Sequence, residues 1–484
     1  MHIVFDTNSA TDYQQFIAVR KLPVYSITGS SAYVPDEYAH LLGEIQSTQD
    51  TDYTPSANLF DYQAAITAKA IAKRKYAVFA DCGLGKTRIL VDFAEHATRA
   101  SGRRVLIVCP LMVGKQTVAE AKRWNGIECE LLRGPRMREW INQEGTGIAV
   151  TNYESITANH PHKLGGLILD ESSMLKSHYG KWGTRLIEMG RGLEWKMCST
   201  GTPAPNDRIE YANHAVFLDR AKTVNEFLAT YFVNRGQTNN RWELKPHALA
   251  PFYRSLADWS IFLTNPSTYG WTDNVGTLPP IKIHVEDIPL TPEQRKAAQL
   301  LTGNLMTVRI GGIGERGKLS QIAKGAHGIP TNKPAYIRDM IASWQPESTI
   351  VWCHYNAEQE SMEKALPDAE SISGKTPEDK RHEIVQRFIA GETKTIITKP
   401  KILGFGLNLQ VATRQVFSGI KDSYEEFYQA VKRSNRVGST RPLNVHIPVT
   451  ELEVPFVENV LAKAERVEAD TKEQEQIFKE VGCG

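Results

Sequence analysis

The stretch YAVFADCGLGKT, residues 76–87, combines an apolar strand, a glycine-containing loop and the start of a helix. Gly83 and Gly85 allow the backbone to curl so that consecutive N–H groups point at phosphate oxygens. Lys86 brings a point charge to the β- and γ-phosphates, and Thr87 offers a hydroxyl ligand for Mg²⁺. The predicted loop comprises Ala80, Asp81, Cys82, Gly83, Leu84, Gly85, Lys86 and Thr87. Ala80 stands where such loops usually begin with glycine, and a plain glycine turn is the structural alternative.

A second motif, LILDESS (167–173), ends an apolar strand with two carboxylates. Ligands of open α/β sheets bind outside the carboxyl ends of the strands, where these acids would lie. Asp170 is predicted to hold Mg²⁺ through water, and Glu171 to orient the water that attacks the γ-phosphate. An ordinary acidic pair that caps the next helix is the alternative. Together the two motifs predict binding and hydrolysis of ATP.

Around these motifs, nearly continuous apolar runs alternate with helix-length amphipathic segments. Such runs are typical of parallel strands that are buried on both faces, so the pattern predicts βαβ units. The first series of strands is predicted at 76–80, 104–110, 146–151, 164–170 and 195–201. A second series follows at 349–355, 370–374, 394–399, 414–419 and 444–449. The sequence therefore predicts two α/β lobes in tandem.

The composition argues against a uniformly basic, a membrane-spanning or a zinc-binding protein. The 484 residues suffice for two to four domains, and their formal net charge of +2 argues against a uniformly basic surface. The longest apolar stretch, 105–113, is too short to span a membrane, and no signal peptide is visible. The six cysteines stand singly, without a CxxC pair, which argues against zinc and for reduced thiols. We expect a cytoplasmic protein, in the host cytoplasm if it is viral.

The second series also contains YQAVKRSNRVGST (428–440). Gln429, Arg433 and Arg436 are spaced by four and three residues, which predicts that they share one face of a helix. Arginines from a second lobe, aimed at a γ-phosphate held by the first, form an arginine-finger arrangement. A solvated basic helix face is the alternative.

Taken in order, the motifs resemble those of superfamily 2 helicase-like ATPases of the Swi/Snf type over roughly residues 58–450. LFDYQ (59–63) resembles the family's adenine-reading motif, with Gln63 on the base edge and Phe60 as a stacking partner. STGTPAPN (199–206) resembles its coupling motif, here Ser199, Thr200, Gly201, Thr202 and Pro203. GFGLNLQ (404–410) resembles the motif that senses nucleotide and backbone, here Gly404, Gly406 and Asn408.

The resemblance implies a fold class and a domain plan. The fold class is α/β, with two RecA-like parallel-sheet lobes in tandem, a small helical insertion and a small N-terminal α+β extension. The predicted domains are an extension (1–50), lobe 1 (57–206), an insertion and linker (207–280), lobe 2 (281–456) and a C-terminal helix and tail (457–484). One departure concerns DESS, because the family's usual histidine in this box is absent, and Ser172 and Ser173 are candidate substitutes.

The resemblance also implies contacts with a phosphate backbone, which polar side chains and backbone N–H groups supply. The matching positions are Pro110, Lys115, Thr151, Asn152 and Tyr153 in lobe 1 and His354, Tyr355, Ser373, Lys375, Lys399 and Asn408 in lobe 2. A strand-end turn or a packed histidine is the alternative at each single position. The implied partner is nucleic acid, preferably duplex or branched DNA, and no membrane.

The predicted activity is that of a monomeric motor that translocates on DNA and remodels DNA structures or protein–DNA complexes. Residues 1–50 or the C-terminal helix are candidate contacts for a protein partner. Three alternatives remain open: a strand-separating DNA or RNA helicase, a motor subunit of a repair or restriction complex, and an inactive binding module. Since every hydrolytic position is filled, the sequence disfavours the last.

Overall fold

A computed structural model of the chain describes most of its residues. The described ranges are 2–6, 9–22, 24–34, 38, 42, 53–111, 113–158, 160–175, 181–205, 207–236, 242–273, 278–302, 313–344, 346–403, 409–421, 423–436 and 438–480. Two compact units are present, one formed by residues 1–275 with 469–484 and the other by residues 276–468.

The first unit begins with a small α+β layer. It contains β1 (His2–Val4), α1 (Ala10–Arg20), β2 (Ser26–Thr28) and β3 (Ser31–Tyr33). The strands form an antiparallel sheet in the order β1-β3-β2. Its apolar side chains, including Ile3, Phe5, Val19 and Val34, make a core of their own. The predicted N-terminal α+β extension is therefore present.

The rest of the first unit is built on a seven-stranded parallel sheet. Its strands are β4 (Lys75–Ala80), β5 (Arg104–Cys109), β6 (Glu130–Leu131), β7 (Gly147–Asn152), β8 (Gly166–Asp170), β9 (Trp195–Thr200) and β12 (Ser260–Leu263). They run in the order β12-β4-β9-β8-β5-β7-β6. All six residues of β4 are buried, as the continuous apolar run predicts.

Helices and a hairpin surround this sheet. The helices are α2 (Asp61–Lys73), α3 (Lys86–Ser101), α4 (Gly114–Glu120), α5 (Gly134–Asn142), α6 (Lys181–Gly190), α7 (Tyr211–Phe217), α8 (Val224–Tyr231) and α9 (Leu249–Trp259). A π-helical turn, Ala121–Asn125, continues α4, and β10 (Phe232–Asn234) pairs with β11 (Trp242–Leu244) as an antiparallel hairpin.

The position of β12 differs from the sequence-based expectation. Residues 207–280 were predicted to form a helical insertion and linker, but within them Ser260–Leu263 pairs in parallel with β4 and forms the edge of the sheet. The preceding Trp259 is 2% exposed, and its ring packs 6.3 Å from that of Phe79 in the core of the lobe. An apolar four-residue strand carries little periodic signal, and only its pairing with β4 defines it.

The second unit contains a six-stranded parallel sheet. Its strands are β13 (Ile281–Asp287), β14 (Thr349–Trp352), β15 (Glu370–Ser371), β16 (Thr395–Thr398), β17 (Arg414–Phe417) and β18 (Leu443–Val449), in the order β13-β18-β17-β14-β16-β15. The helices are α10 (Pro292–Thr302), α11 (Ile313–Ala323), α12 (Lys333–Ala342), α13 (Asn356–Ala365), α14 (Glu378–Ile389), α15 (Pro400–Leu403) and α16 (Tyr424–Val431). The predicted fold class, with two parallel-sheet α/β lobes, is confirmed.

The last helix is α17 (Val454–Glu480), and its residues from 469 onward are grouped with the first unit. There the Phe478 ring lies 5.4 Å from that of Phe262, and the Glu475 carboxylate accepts a hydrogen bond of 2.8 Å from the Thr264 N–H. Among the described residues, no helix has the length and apolar composition needed to cross a membrane.

Candidate nucleotide-binding and hydrolysis site

The loop between β4 and α3 has the backbone geometry of an anion cradle. Gly83 and Gly85 adopt φ of 93° and 68°, a left-handed conformation that side chains disfavour. A Cβ atom at Gly85 would collide with the Gln63 amide. Lys86 begins α3, and its Nζ donates to the carbonyl oxygens of Ala80 (2.7 Å) and Asp81 (3.2 Å). The ammonium group therefore lies inside the loop, next to the N-terminus of a 16-residue helix.

Asp170 is the last residue of β8 and Glu171 follows it, and both are almost completely buried. Asp170 is 6% exposed and Glu171 is 7% exposed. Burial, together with the neighbouring Glu171 carboxylate, raises the pKa of Asp170 to about 7, while Lys86 opposes this shift. Glu171 has φ +52°, which is unusual for a residue other than glycine. Because β4, β9 and β8 are neighbours, the loop, the coupling segment and the acids share one edge of the sheet.

The segment predicted to couple hydrolysis to movement contacts the acids directly. Thr200 donates from Oγ1 to Glu171 Oε2 over 3.1 Å, and the Thr202 N–H donates to Thr200 Oγ1 over 3.1 Å. A Cβ atom at Gly201 would lie 3.4 Å from the Ala80 carbonyl oxygen, so this segment packs closely on the phosphate loop. Ser199 is buried too, and Pro203 follows the same turn.

Gln63 is 1% exposed and its amide is bonded within the protein. Its Oε1 accepts from the Phe60 N–H (3.0 Å), and its Nε2 donates to the Leu84 carbonyl oxygen (3.2 Å). The hydroxyl of Tyr62 donates to the same carbonyl over 3.0 Å. In this structure Gln63 therefore stabilises the phosphate loop through Leu84, whereas the sequence analysis placed it on the edge of the adenine base.

The ring of Phe60 is 41% exposed and belongs to an aromatic cluster that the sequence analysis did not identify. The Arg88 guanidinium lies 5.3 Å from the Phe60 ring and 5.6 Å from the Trp124 ring. Burial lowers the pKa of Arg88, and its Nε and Nη2 have no hydrogen-bond partner among the described residues. Trp124 lies on the π-helical turn, and only the tertiary structure brings it to Phe60.

Candidate backbone-binding residues of the first unit differ in accessibility. Pro110 and Lys115 follow β5, and the side chain of Lys115 is exposed. Thr151 and Tyr153 are both 0% exposed, and the Tyr153 hydroxyl donates to the Asp170 carbonyl oxygen over 2.7 Å. The side chain of Asn152 bonds to Glu154 and Ser155. Tyr153 therefore supports the acidic strand end through Asp170, whereas the side chain of Asn152 is bonded within its own turn.

In the second unit, the candidate backbone-binding residues follow three neighbouring strands, β14, β16 and β15. Lys375 is exposed, Ser373 is half-buried, and the Nζ of Lys399 donates to the Asn356 side chain. His354 is almost enclosed, and burial holds its pKa well below the usual value, so its ring is neutral. Tyr355 is half-buried at the start of α13.

The arginine segment does not form the predicted helical face, and that prediction is wrong. Helix α16 ends at Val431, and the chain continues through turns in which the N–H groups of Arg433 and Ser434 bond three residues back. Gln429, on the helix, accepts from Arg433 Nη2 over 3.2 Å, and Arg433 is 4% exposed. The Arg436 N–H donates to Ser439 Oγ over 3.2 Å. Gly404, Gly406 and Asn408 lie outside the described residues.

Residues 332–438 match the helicase conserved C-terminal domain family. The matched residues include β14 to β17 and the arginine segment. Comparison with curated proteins gives no match.

Among solved structures, the chain is similar to the SWI2/SNF2 ATPase core of Sulfolobus solfataricus in complex with double-stranded DNA. The two chains are 19% identical, the alignment covers 89% of this chain and 97% of the other, and the TM-score is 0.42.

Proposed function

We propose that this protein is a Swi/Snf-type ATPase that hydrolyses ATP and uses the energy to move along nucleic acid, with a preference for duplex DNA. The observation that carries the proposal is the meeting of three motifs at one sheet edge. The phosphate loop, the Asp170–Glu171 pair and Thr200 follow adjacent strands, and Thr200 donates directly to Glu171. Hydrolytic and coupling groups in direct contact are what a motor requires.

In this proposal the first lobe binds the phosphates of ATP. The N–H groups of the loop and the N-terminus of α3 attract the anion, and Lys86 exchanges its loop carbonyls for phosphate oxygens. Glu171 accepts a hydrogen bond from the attacking water and orients it towards the γ-phosphate. As negative charge shifts on the phosphoryl group, the hydrogen bond between Glu171 and Thr200 changes. Through this hydrogen bond, hydrolysis alters the conformation of residues 199–203.

The residues present also fit Mg²⁺. Asp170 is a carboxylate whose pKa is raised by burial and by the neighbouring Glu171 carboxylate, and a divalent cation would offset both effects. Thr87 and Asp170 would hold the ion, with oxygen ligands of the kind Mg²⁺ prefers. When bound, the ion neutralises charge on the phosphates. Within the chain, Lys86 favours the ionised form of Asp170, because its charge opposes the upward shift of the Asp170 pKa.

The exposed ring of Phe60 is proposed to stack on the nucleotide base. Arg88 lies against this ring, and its Nε and Nη2 donors lack a partner among the described residues, so they are suited to donate to an acceptor atom of the base. Gln63 would act through the phosphate loop, because its amide bonds to Leu84.

Replacing Lys86 with alanine should abolish measurable ATP turnover, with a loss of about 10²–10³-fold or more. The reason is that the point charge inside the loop disappears from a water-poor site, and ATP affinity falls with it. Isothermal titration and a phosphate-release assay would test this. Lys69→Ala, on the helix before β4, is the matched control and should retain turnover. Unchanged ATP affinity in Lys86→Ala would contradict the phosphate-loop assignment.

The preference for duplex DNA is proposed from the motif resemblance and is tested with a panel of effectors. ATP turnover should be stimulated most by duplex DNA when it is measured with duplex DNA, single-stranded DNA, forked DNA and RNA at equal nucleotide concentration. Stronger stimulation by a fork, with strand separation, would instead indicate a helicase. Strong turnover without independent translocation would indicate a motor subunit of a larger complex, and residues 1–50 or α17 would then be the first surfaces to test for a partner.

Nucleic-acid affinity should decrease with salt along a straight log–log line whose slope counts the phosphates neutralised. The formal net charge of +2 means that attraction comes from a local surface and not from the whole chain. Because the proposed contacts are to the backbone, duplexes of equal length and different sequence should bind with similar affinity when measured by fluorescence anisotropy. A reproducible hundredfold sequence preference, about 2.7 kcal/mol, would contradict backbone recognition.

A further inference from the structure

The turn that follows the acidic pair is held by helix α7 at two points. Residues Ser172–Leu175 form a 3₁₀ turn directly after Glu171. The Ser172 Oγ lies 3.0 Å from His214 Nε2, and the Asn213 side chain donates to the Leu175 carbonyl oxygen. Two adjacent residues of α7 therefore form hydrogen bonds with the first and the last residue of the turn.

The protonation state of His214 follows from its surroundings. The residue is 0% exposed, and burial lowers the pKa of His214 to about 4, so the ring is neutral. Its Nδ1 lies 3.4 Å from the Glu210 carbonyl oxygen, which can only accept. Nδ1 therefore carries the proton, Nε2 accepts, and the Ser172 hydroxyl is the donor. This arrangement fixes the direction of the hydroxyl.

The turn needs such support because Glu171 adopts an unfavourable backbone conformation. A φ of +52° is strained for a residue other than glycine, and the surrounding structure must hold the backbone in this conformation. In this conformation the carboxylate meets Thr200 Oγ1. The His214 ring also packs edge-to-face on Phe79, 5.4 Å away, and Phe79 directly precedes the phosphate loop. His214 thus touches the strand before the loop as well as the turn after the acids.

We propose that His214 and Asn213 are positioning residues for hydrolysis. They hold the 172–175 turn so that Glu171 keeps its orientation towards the attacking water and Thr200. The imidazole that the DESS sequence lacks is supplied from α7, which lies beyond the coupling segment. Helix α7 also follows residues 199–203 in the chain. It therefore connects the coupling segment to the 172–175 turn. The inference rests on the proposed ATPase function.

The test compares His214→Ala, His214→Gln and Ser172→Ala in the full chain by steady-state ATP hydrolysis with saturating duplex DNA. His214→Ala should lower kcat by about 10–100-fold, as loss of a supporting hydrogen-bond partner typically does. KM for ATP should change less than about twofold, because the phosphate loop is intact. His214→Gln should recover part of kcat, since its amide oxygen can accept from Ser172. Ser172→Ala is the milder variant if His214→Ala folds poorly.

Two further measurements separate positioning from simple destabilisation. The double variant His214→Ala/Ser172→Ala should be no slower than the slower single variant, because both remove the same hydrogen bond. His96→Ala is the matched control: His96 is a buried histidine of the same lobe, 3% exposed, packed on Trp195 at 5.3 Å. It should lower the melting temperature without lowering kcat.

Different results overturn different statements. Unchanged kcat in His214→Ala, with an active wild type, would overturn the positioning role alone. Equal losses in His214→Gln and His214→Ala, matched by a loss of kcat in His96→Ala, would reduce the effect to stability and overturn it as well. A wild-type protein without ATP turnover would overturn the proposed function and this inference together.

Discussion

Arg436→Ala should reduce DNA-stimulated ATP turnover by about 10³–10⁵-fold while ATP affinity changes only a few-fold. We propose that Arg436 stabilises negative charge on the transferring phosphoryl group when the lobes close on ATP. Lys86, Thr87 and Gln63 remain in place, so binding to the first lobe is preserved. Measuring turnover by phosphate release and affinity with a fluorescent ATP analogue separates the two quantities.

Arg433→Ala should behave similarly and also lose some affinity. Arg433 is 4% exposed and its Nη2 donates to Gln429, so truncation to alanine also removes a buried side-chain contact of the segment. Lysine at either position should not restore full turnover, because an ammonium group cannot reproduce the guanidinium fork.

The matched control is Lys432→Ala, since Lys432 is a neighbouring cation that lies 5.4 Å from the Tyr428 ring. It should change turnover only a few-fold. Near-normal stimulated turnover in both arginine variants would mean that neither arginine acts on the phosphoryl group, and the two-lobe mechanism would have to be abandoned.

Glu171→Gln should lower ATP turnover by about 10²–10⁴-fold and leave ATP binding largely intact. Glutamine keeps the size of the side chain and a carbonyl oxygen that can accept from Thr200, but it lacks the charge that orients and polarises the attacking water. The ATP-bound state should therefore accumulate. Trapping of radiolabelled ATP, with rapid filtration, measures that accumulation.

Lys86→Ala provides the comparison for this variant. Both variants lose turnover, but only Lys86→Ala should lose affinity, because only Lys86 contributes its charge to phosphate binding. If the two lose nucleotide affinity equally, the division of roles between loop and acid is wrong.

The sequence determined the fold class and the position of the proposed nucleotide site. Parallel strands buried on both faces leave nearly continuous apolar runs, and these were visible for β4, β5, β8 and β9. The phosphate loop was visible because its glycines, lysine and threonine are adjacent in the chain. Asp170 was placed near it because strand ends of a parallel sheet meet at one edge.

The tertiary structure alone decided which groups touch. Strand β12 was missed because its identity depends on pairing with β4, about 180 residues earlier. The sequence analysis placed Gln63 on the edge of the adenine base, but in the structure its amide is hydrogen-bonded to Leu84 and Phe60 and faces the phosphate loop. The arginines were assigned to one helix face by spacing, yet α16 ends at Val431.

The link between Ser172 and His214 is the clearest case of this limit. The residues are separated by 42 positions, and neither lies in a pattern that points to the other. Local motifs report what a short segment can do, because their atoms are held together by the chain itself. Contacts such as Ser172–His214 depend on how buried helices pack against the sheet, and that packing is set by the whole core and not by any single segment.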